Sequence, residues 1–192
     1  MGKAVLISIR PQWCEKIASG EKTLEIRKTK PNLKTPFRCY IYCTAGCGKN
    51  TFNVPISRDR ILEDYIKTGS MACLNCHIGN EKVVGEFICD VILSHCEMAN
   101  ADIAEAQGCI RREKILKYSC GHDVYGWHIS ELNIYDKPKE LREFRRLCAN
   151  DLMCESCAMF RERAETCGND ALRLKRPPQS WCYVEEMNGG EK

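Results

Sequence analysis

The sequence predicts an α+β fold, because one strand–helix–strand unit at its start is followed mostly by strand patterns. Residues 3–9 (KAVLISI) form an aliphatic and β-branched run that is typical of a buried strand. A short helix is predicted for residues 12–18, since Pro11 stands at its first turn and Gly20 lies just beyond its end. Further strand patterns occupy residues 21–28, 37–44, 82–93, 125–135 and 180–185.

The segment 45–81 differs from its surroundings and is predicted to be an insertion between two strands. Glycine, asparagine and proline mark loops in this segment. A single amphipathic helix fits residues 57–67, with Ser57 as its N-cap. A second unusual stretch, the cysteine-rich segment 148–175, lies closer to the end of the chain. We expect one domain over residues 1–192 that carries both segments.

Other local signals concern residues 82–148. Gly85 interrupts the strongest strand pattern, which predicts a bulge or a close approach of another backbone. One or two short helices are predicted within residues 101–118 and another for residues 139–148. Pro138 is predicted to end the strand that precedes this last helix.

Composition and charge restrict the class of protein. The chain has 192 residues, of which 44% are hydrophobic and 29% charged, an ordinary balance for a globular domain. The net charge is only +3, but residues 1–40 contain nine Lys or Arg against three acidic residues, which suits an anionic partner. The apolar run at residues 4–9 is too short for a signal peptide or a membrane span. We therefore expect a soluble cytoplasmic protein without a membrane partner.

Five motifs appear in a fixed order. They are residues 7–11 (ISIRP), 20–27 (GEKTLEIR), 84–87 (VGEF), 125–129 (YGWHI) and 177–181 (PPQSW). With them the chain resembles the ASCH (activating-signal-cointegrator homology) family, in particular the small members found in bacteriophages and Firmicutes. The resemblance spans most of the chain apart from the two unusual segments.

The resemblance implies a PUA-like β-barrel with short helices at its rim. It also implies a cleft between the first helix and the barrel that binds RNA, a nucleotide or a nucleoside. Basic side chains there would meet phosphate and aromatic rings would stack on a base. The candidate binding residues are Arg10, Trp13, Lys22, Thr23, Arg27 and Trp127. Alternatively, the charged residues form only a solvated, ion-paired strand, and the tryptophans belong to the core.

The resemblance also suggests an enzyme as a second hypothesis. Some bacterial relatives hydrolyse the amide of N4-acetylcytidine with a Lys base, a Thr nucleophile three residues later and a distant Glu. Here the Lys is Lys22 and the distant Glu is Glu86, but Glu25 stands where those relatives have the Thr. The candidate catalytic residues are therefore Lys22, Glu25 and Glu86, for an amidohydrolase of N4-acylated cytidine or a metal-dependent ribonuclease.

Fifteen cysteines in a chain expected to be intracellular favour metal binding over disulfides. Two groups have spacings that suit structural zinc. The first is Cys148, Cys154, Cys157 and Cys167, and the second is Cys43, Cys47, Cys73 and Cys76, with His77 adjacent. In a third hypothesis these segments contact a protein partner. Alternatively they are unpaired thiols, and Cys39 and Cys89 are expected to be small core residues.

Overall fold

A computed structural model describes residues 2–45, 52–55, 76–148 and 170–187 of the chain, which form a mixed α+β structure. In chain order the elements are β1 (Lys3–Ile9), α1 (Pro11–Ala18), β2 (Leu24–Arg27), β3 (Phe37–Cys43), β4 (Asn53–Pro55), β5 (Cys76–Ile78), β6 (Lys82–Cys89), β7 (Ile92–Leu93), α2 (Ala101–Gly108), α3 (Arg112–Ser119), β8 (Tyr125–His128), β9 (Ser130–Lys139) and β10 (Trp181–Glu185).

Three sheets hold these strands. The largest has five strands in the order β10-β1-β3-β6-β9, in which only β1 and β3 run parallel. A three-stranded sheet has the order β2-β8-β7, and β4 pairs with β5 in an antiparallel ribbon. Within the described residues the five-stranded sheet is open, because its edge strands β9 and β10 do not pair with each other. The predicted α+β class is confirmed, and the described strands lie in open sheets that do not close into one continuous barrel.

Strand β1 is buried on both faces, which explains its uninterrupted apolar sequence. Val5 and Ile7 enter the main hydrophobic core together with Ile17 of α1. The alternate residues Ala4 and Leu6 pack into a second core on the opposite face. Successive strand residues point to opposite faces, so a strand with a core on each side needs apolar residues at every position.

Most predicted elements are confirmed, and several differ from the prediction. The predicted strand 125–135 is two strands, since β8 belongs to the three-stranded sheet and β9 to the five-stranded sheet. Pro138 does not end β9, which continues to Lys139 on an edge strand, where proline is tolerated. The predicted helix 139–148 is wrong: only a 3-10 turn forms, at Leu141–Glu143. Phe144 then turns into the second core, which holds the following segment extended.

The close approach predicted at Gly85 is confirmed. A Cβ atom on this residue would lie 2.6 Å from the backbone oxygen of Asn133 on β9. The register of β6 against β9 also shifts next to Gly85. A glycine at this position therefore lets two backbones approach more closely than a side chain would allow.

Several sequence predictions fall outside the described residues. They are the helix 57–67 and the cysteines Cys47, Cys73, Cys154, Cys157 and Cys167. In the described ranges there is no helix that is both long enough and apolar enough to cross a membrane.

Candidate functional site

A cleft of about 500 Å³ opens where β1 ends and α1 begins. Residues at the start of β2 form its floor, and the region between α2 and α3 forms its opposite wall. The charged residues that line it are Arg10, Lys22, Glu25, Arg27 and Lys114. The motifs at residues 7–11 and 20–27, which are separate in sequence, therefore meet at one site.

Lys22 is a buried cation on the floor of this cleft, with 4% of its surface exposed. Its Nζ donates hydrogen bonds to the carbonyl oxygens of Leu24 (2.7 Å) and Gly108 (2.9 Å). The same atom lies 3.3 Å from Glu25 Oε2 and 5.3 Å from the centre of the Trp13 ring. An ammonium has three hydrogen atoms to donate, so two carbonyls and one carboxylate can engage all of them. Lys22 thus ties α2 to the start of β2.

Among the described residues that line the cleft, Glu25 is the single carboxylate, and 6% of its surface is exposed. One oxygen faces Lys22, and the other lies 2.9 Å from Arg27 Nη2. Both carboxylate oxygens therefore have a cationic partner. A buried carboxylate between two cations is stable only while both partners stay in place.

Arg27 connects three parts of the chain. Its Nη2 donates to the carbonyl oxygen of Ser8 at 2.6 Å, at the end of β1. Its Nη1 lies 3.3 Å from Ser180 Oγ, just before β10. The planar guanidinium can reach these partners together because its donors form a fixed fork. The result is a floor made of a cation–carboxylate–cation row, in the order Lys22, Glu25 and Arg27.

The structure does not bring Glu86 to this cleft, which corrects the predicted constellation. Its carboxylate accepts hydrogen bonds from Arg38 Nη1 (2.6 Å) and from the hydroxyl of Tyr135 (2.7 Å). Glu86 lies beside Tyr40, whose ring belongs to the second core. Burial, together with the hydrogen bond to Glu86, raises the pKa of Tyr135. Glu86 therefore does not line the cleft beside Lys22.

Two predicted binding residues also lie outside the cleft lining. Trp127 is fully buried, with its ring packed edge-on against Phe37 at 6.0 Å and tilted against Trp181 at 5.8 Å. It has no exposed face for a base, so the alternative interpretation as a core residue is the correct one. The backbone of Thr23 hydrogen-bonds to Gln107 and Ile129, and this threonine does not line the cleft.

The described cysteines are mostly buried thiols. Cys43 lies at the end of β3, with its Sγ 3.9 Å from Asn80 Oδ1. Burial, and then contact with Cys43, raises the pKa of Cys14 well above its ordinary value. Cys148 is half-buried, and Cys76 takes part in β5 through its backbone. The rest of both predicted zinc groups lies outside the described residues, so structural zinc stays a prediction.

Sequence reasoning missed part of the cleft lining. Lys114 and Tyr118 are four residues apart on α3, so they share one face of that helix. This spacing was visible in the sequence, but the fold was needed to bring α3 to the cleft. Gln179 lies within the motif at 177–181 and also lines the cleft. Gln12 and Thr44 also line the cleft, beside the start of α1 and the end of β3.

Comparisons with known proteins identify the fold. No protein-family model matches the sequence, and no curated protein matches it. The crystal structure of ASCH from Zymomonas mobilis matches with a TM-score of 0.53 and 15% identity, over 95% of this chain and 88% of that one. Its Ser-to-Ala mutant matches with a TM-score of 0.53 and 14% identity, over 95% of this chain and 89% of that one. At this level of identity the likeness concerns the fold, and this chain has the fold of an ASCH domain.

Proposed function

We propose that the cleft binds RNA or a nucleotide. The observation that carries this proposal is its charge: among the described residues, four cationic side chains, Arg10, Lys22, Arg27 and Lys114, line it together with one carboxylate, Glu25. A concave surface with excess positive charge attracts phosphate groups and raises the rate of association. The ASCH fold supports the same conclusion, because that family is linked to RNA binding.

The cations have different roles in this proposal. Arg10 and Lys114 are exposed at the mouth of the cleft, where they can exchange water for phosphate oxygens. Lys22 and Arg27 are buried and hydrogen-bonded to backbone carbonyls, so they fix the floor and supply its positive potential. Mouth and floor can thus be tested by separate substitutions.

Two aromatic residues can receive a base. Trp13 is half-buried at the start of α1, and Tyr118 on the opposite wall is 39% exposed. Both line the cleft. Aromatic stacking on an unpaired base is typical of proteins that bind single-stranded RNA. We propose that a base enters between these two walls.

A row of contacts between lysines and aromatic rings begins at the cleft and continues beyond it, which favours a chain of RNA over a mononucleotide. Lys28 Nζ lies 4.9 Å from the ring centre of Tyr118, and Lys30 Nζ lies 5.2 Å from that of Tyr125. Between these lysines, Thr29 Oγ1 accepts a hydrogen bond from Trp181 Nε1. Alternating cations and rings that continue from the cleft suit a flexible polyanion with stacking bases.

Binding is preferred over hydrolysis because the cleft floor lacks the hydroxyl nucleophile that the relatives' amidohydrolase mechanism uses. Glu25 replaces the hydroxyl residue, and its two oxygens are paired with Lys22 and Arg27. Glu86 is placed elsewhere, beside Arg38. A general base must reach the proton it removes, and neither carboxylate is free for that task in this arrangement.

The proposal is tested by fluorescence anisotropy with a labelled single-stranded RNA, the matching duplex and a mononucleotide. We expect the single strand to bind best, and Lys114→Gln to weaken it roughly 3- to 10-fold, the effect of one phosphate contact. Lys137→Gln, an exposed lysine on β9 outside the cleft, is the matched control. Equal affinity of both variants would contradict the proposal.

A further inference from the structure

A second group of polar side chains lies outside the cleft lining. His95 and Glu97 belong to the turn after β7, and Asp123 lies just before β8. Within the described ranges, they form a group whose imidazole nitrogen and two carboxylate oxygens all lie within 4.8 Å of one another. Nothing in the proposed function uses these residues.

The spacing of these atoms differs from that of a hydrogen-bonded ion pair. His95 Nδ1 lies 3.7 Å from Glu97 Oε1 and 3.4 Å from Asp123 Oδ1. Charge-assisted hydrogen bonds are about 2.7–2.9 Å long. The same protein contains such a pair, His128 Nδ1 and Asp90 Oδ1, at 2.6 Å. His95 Nδ1 instead faces two carboxylate oxygens at distances that exceed the length of a charge-assisted hydrogen bond.

The distances do match those between ligands of one metal ion. Nitrogen and oxygen ligands lie about 2.0–2.2 Å from zinc, so two of them at a tetrahedral angle are about 3.4 Å apart. The pair His95–Asp123 has this separation and the pair His95–Glu97 is slightly longer. A cation between the three atoms would thus need only a small adjustment of the side chains.

The backbone holds the group in place before any ligand binds. Glu97 has 8% of its side chain exposed, and its Oε2 accepts a hydrogen bond from the backbone N–H of Val124 at 2.8 Å. The backbone N–H of Cys96 donates to the carbonyl of Val124 at 3.0 Å. These bonds join the turn of His95 and Glu97 to the segment of Asp123. They also leave Glu97 Oε1 directed at the imidazole.

We propose that His95 Nδ1, Glu97 Oε1 and Asp123 Oδ1 bind a divalent first-row transition-metal ion. One imidazole and two carboxylates suit Mn²⁺, Fe²⁺, Co²⁺ or Zn²⁺ better than Ca²⁺ or Mg²⁺, which prefer oxygen ligands alone. The side chains of His95 and Asp123 are each 54% exposed, so an ion can enter from solvent. Three protein ligands leave open positions, which water would fill.

The test uses Mn²⁺, because the fifteen cysteines of the chain would compete for zinc and cobalt. Free Mn²⁺ is measured by its electron paramagnetic resonance signal while the full chain is titrated. We expect saturable binding of about one ion per chain, at least ~10-fold weaker in His95→Ala and in Asp123→Asn. Both positions are exposed, and circular dichroism of each variant serves as the check that it is folded.

Two further variants separate this site from other histidines and from the cleft. His122→Ala removes a histidine next to Asp123, and His128→Ala removes the one that is hydrogen-bonded to Asp90. Both are expected to keep the Mn²⁺ affinity, as is Lys114→Gln in the cleft. Absence of saturable binding in the unmodified chain, or equal binding by His95→Ala, would overturn the proposal whatever the outcome for RNA.

Discussion

Glu25 and Arg27, two residues apart on β2, form an ion pair of 2.9 Å at the floor of the cleft. Residues at positions i and i+2 of a regular strand share a face, which brings the two side chains together. Lys22 occupies the other oxygen of the same carboxylate. One buried carboxylate thus organises two cations that face a cleft.

Glu25→Gln should destabilise the protein strongly. The substitution keeps the size of the side chain but leaves Lys22 and Arg27 buried without their counter-charge. Removal of one partner from a buried ion pair costs about 3–5 kcal/mol. Urea unfolding followed by circular dichroism measures this loss. Glu21→Gln, which breaks the exposed contact with Lys16, is the matched control and should change little. If Glu25→Gln lowered the free energy of unfolding as little as Glu21→Gln does, the buried ion pairs at the cleft floor would be contradicted.

The protein should not release cytidine from N4-acetylcytidine. The hydroxyl nucleophile is replaced by an ion-paired Glu25, and Glu86 is bonded to Arg38 and Tyr135. Chromatography of the nucleosides after incubation with excess protein measures release. Release that disappears in Lys22→Ala, with the fold retained, would show that the cleft is catalytic and would give Glu25 a part in the reaction.

Gly85→Ala should destabilise the five-stranded sheet by about 1–3 kcal/mol, the usual cost of forcing an extra methyl group into a packed site. Its new Cβ would lie 2.6 Å from the backbone oxygen of Asn133, which cannot move without breaking the pairing of β6 with β9. Thermal unfolding measures the change. Asn133→Ala removes an exposed side chain at the same place and serves as control. Equal melting temperatures for the two variants would refute the close approach.

Stability should fall at alkaline pH because of the buried thiols. Burial raises the pKa of Cys89 to about 12 and that of Cys96 to about 11, from an ordinary value of 9.0. Above pH 9 the unfolded chain loses these protons while the folded chain keeps them, so stability declines from there through pH 11–12. Urea unfolding at pH 8, 9.5 and 10.5 checks this trend. Constant stability over that range would contradict it.

The same burial predicts which thiols react. Cys120 is exposed, whereas Cys39 and Cys89 are buried in the main core. A thiolate is the reactive species, so a buried neutral thiol reacts slowly. Brief alkylation of the folded protein, followed by peptide mapping, should modify Cys120 well before the other two. Equal modification of all three would mean that the core opens readily.

Local sequence patterns predicted the charged residues of the cleft floor but not the position of Glu86. The motif 20–27 placed Lys22, Glu25 and Arg27 close together, and the structure has them in contact. The position of Glu86 depends on the register shifts of β6, which follow from the bulge near Gly85 and from pairing with a distant strand. The alternation of residues along one strand does not reveal its register against a distant strand.

The other incorrect or missing sequence predictions also result from packing between residues that are distant in the sequence. Trp127 has the residue type of a stacking platform, yet the contact with Phe37 and Trp181 buries it in the core. Residues 139–148 were predicted as a helix, but burial of Phe144 in the second core favours an extended segment. His95 and Asp123 are 28 positions apart in the sequence, so only the fold brings them to one site.

The salt dependence of RNA binding tests the central claim most directly. Each phosphate neutralised on a single strand contributes about −0.7 to the slope of log K against log salt concentration. In the double variant Arg10→Gln, Lys114→Gln the slope should become less steep by about 1.4, while Lys137→Gln should leave it unchanged. This result would place phosphate at the mouth of the cleft. An unchanged slope in the double variant would mean that the cleft does not bind the RNA backbone.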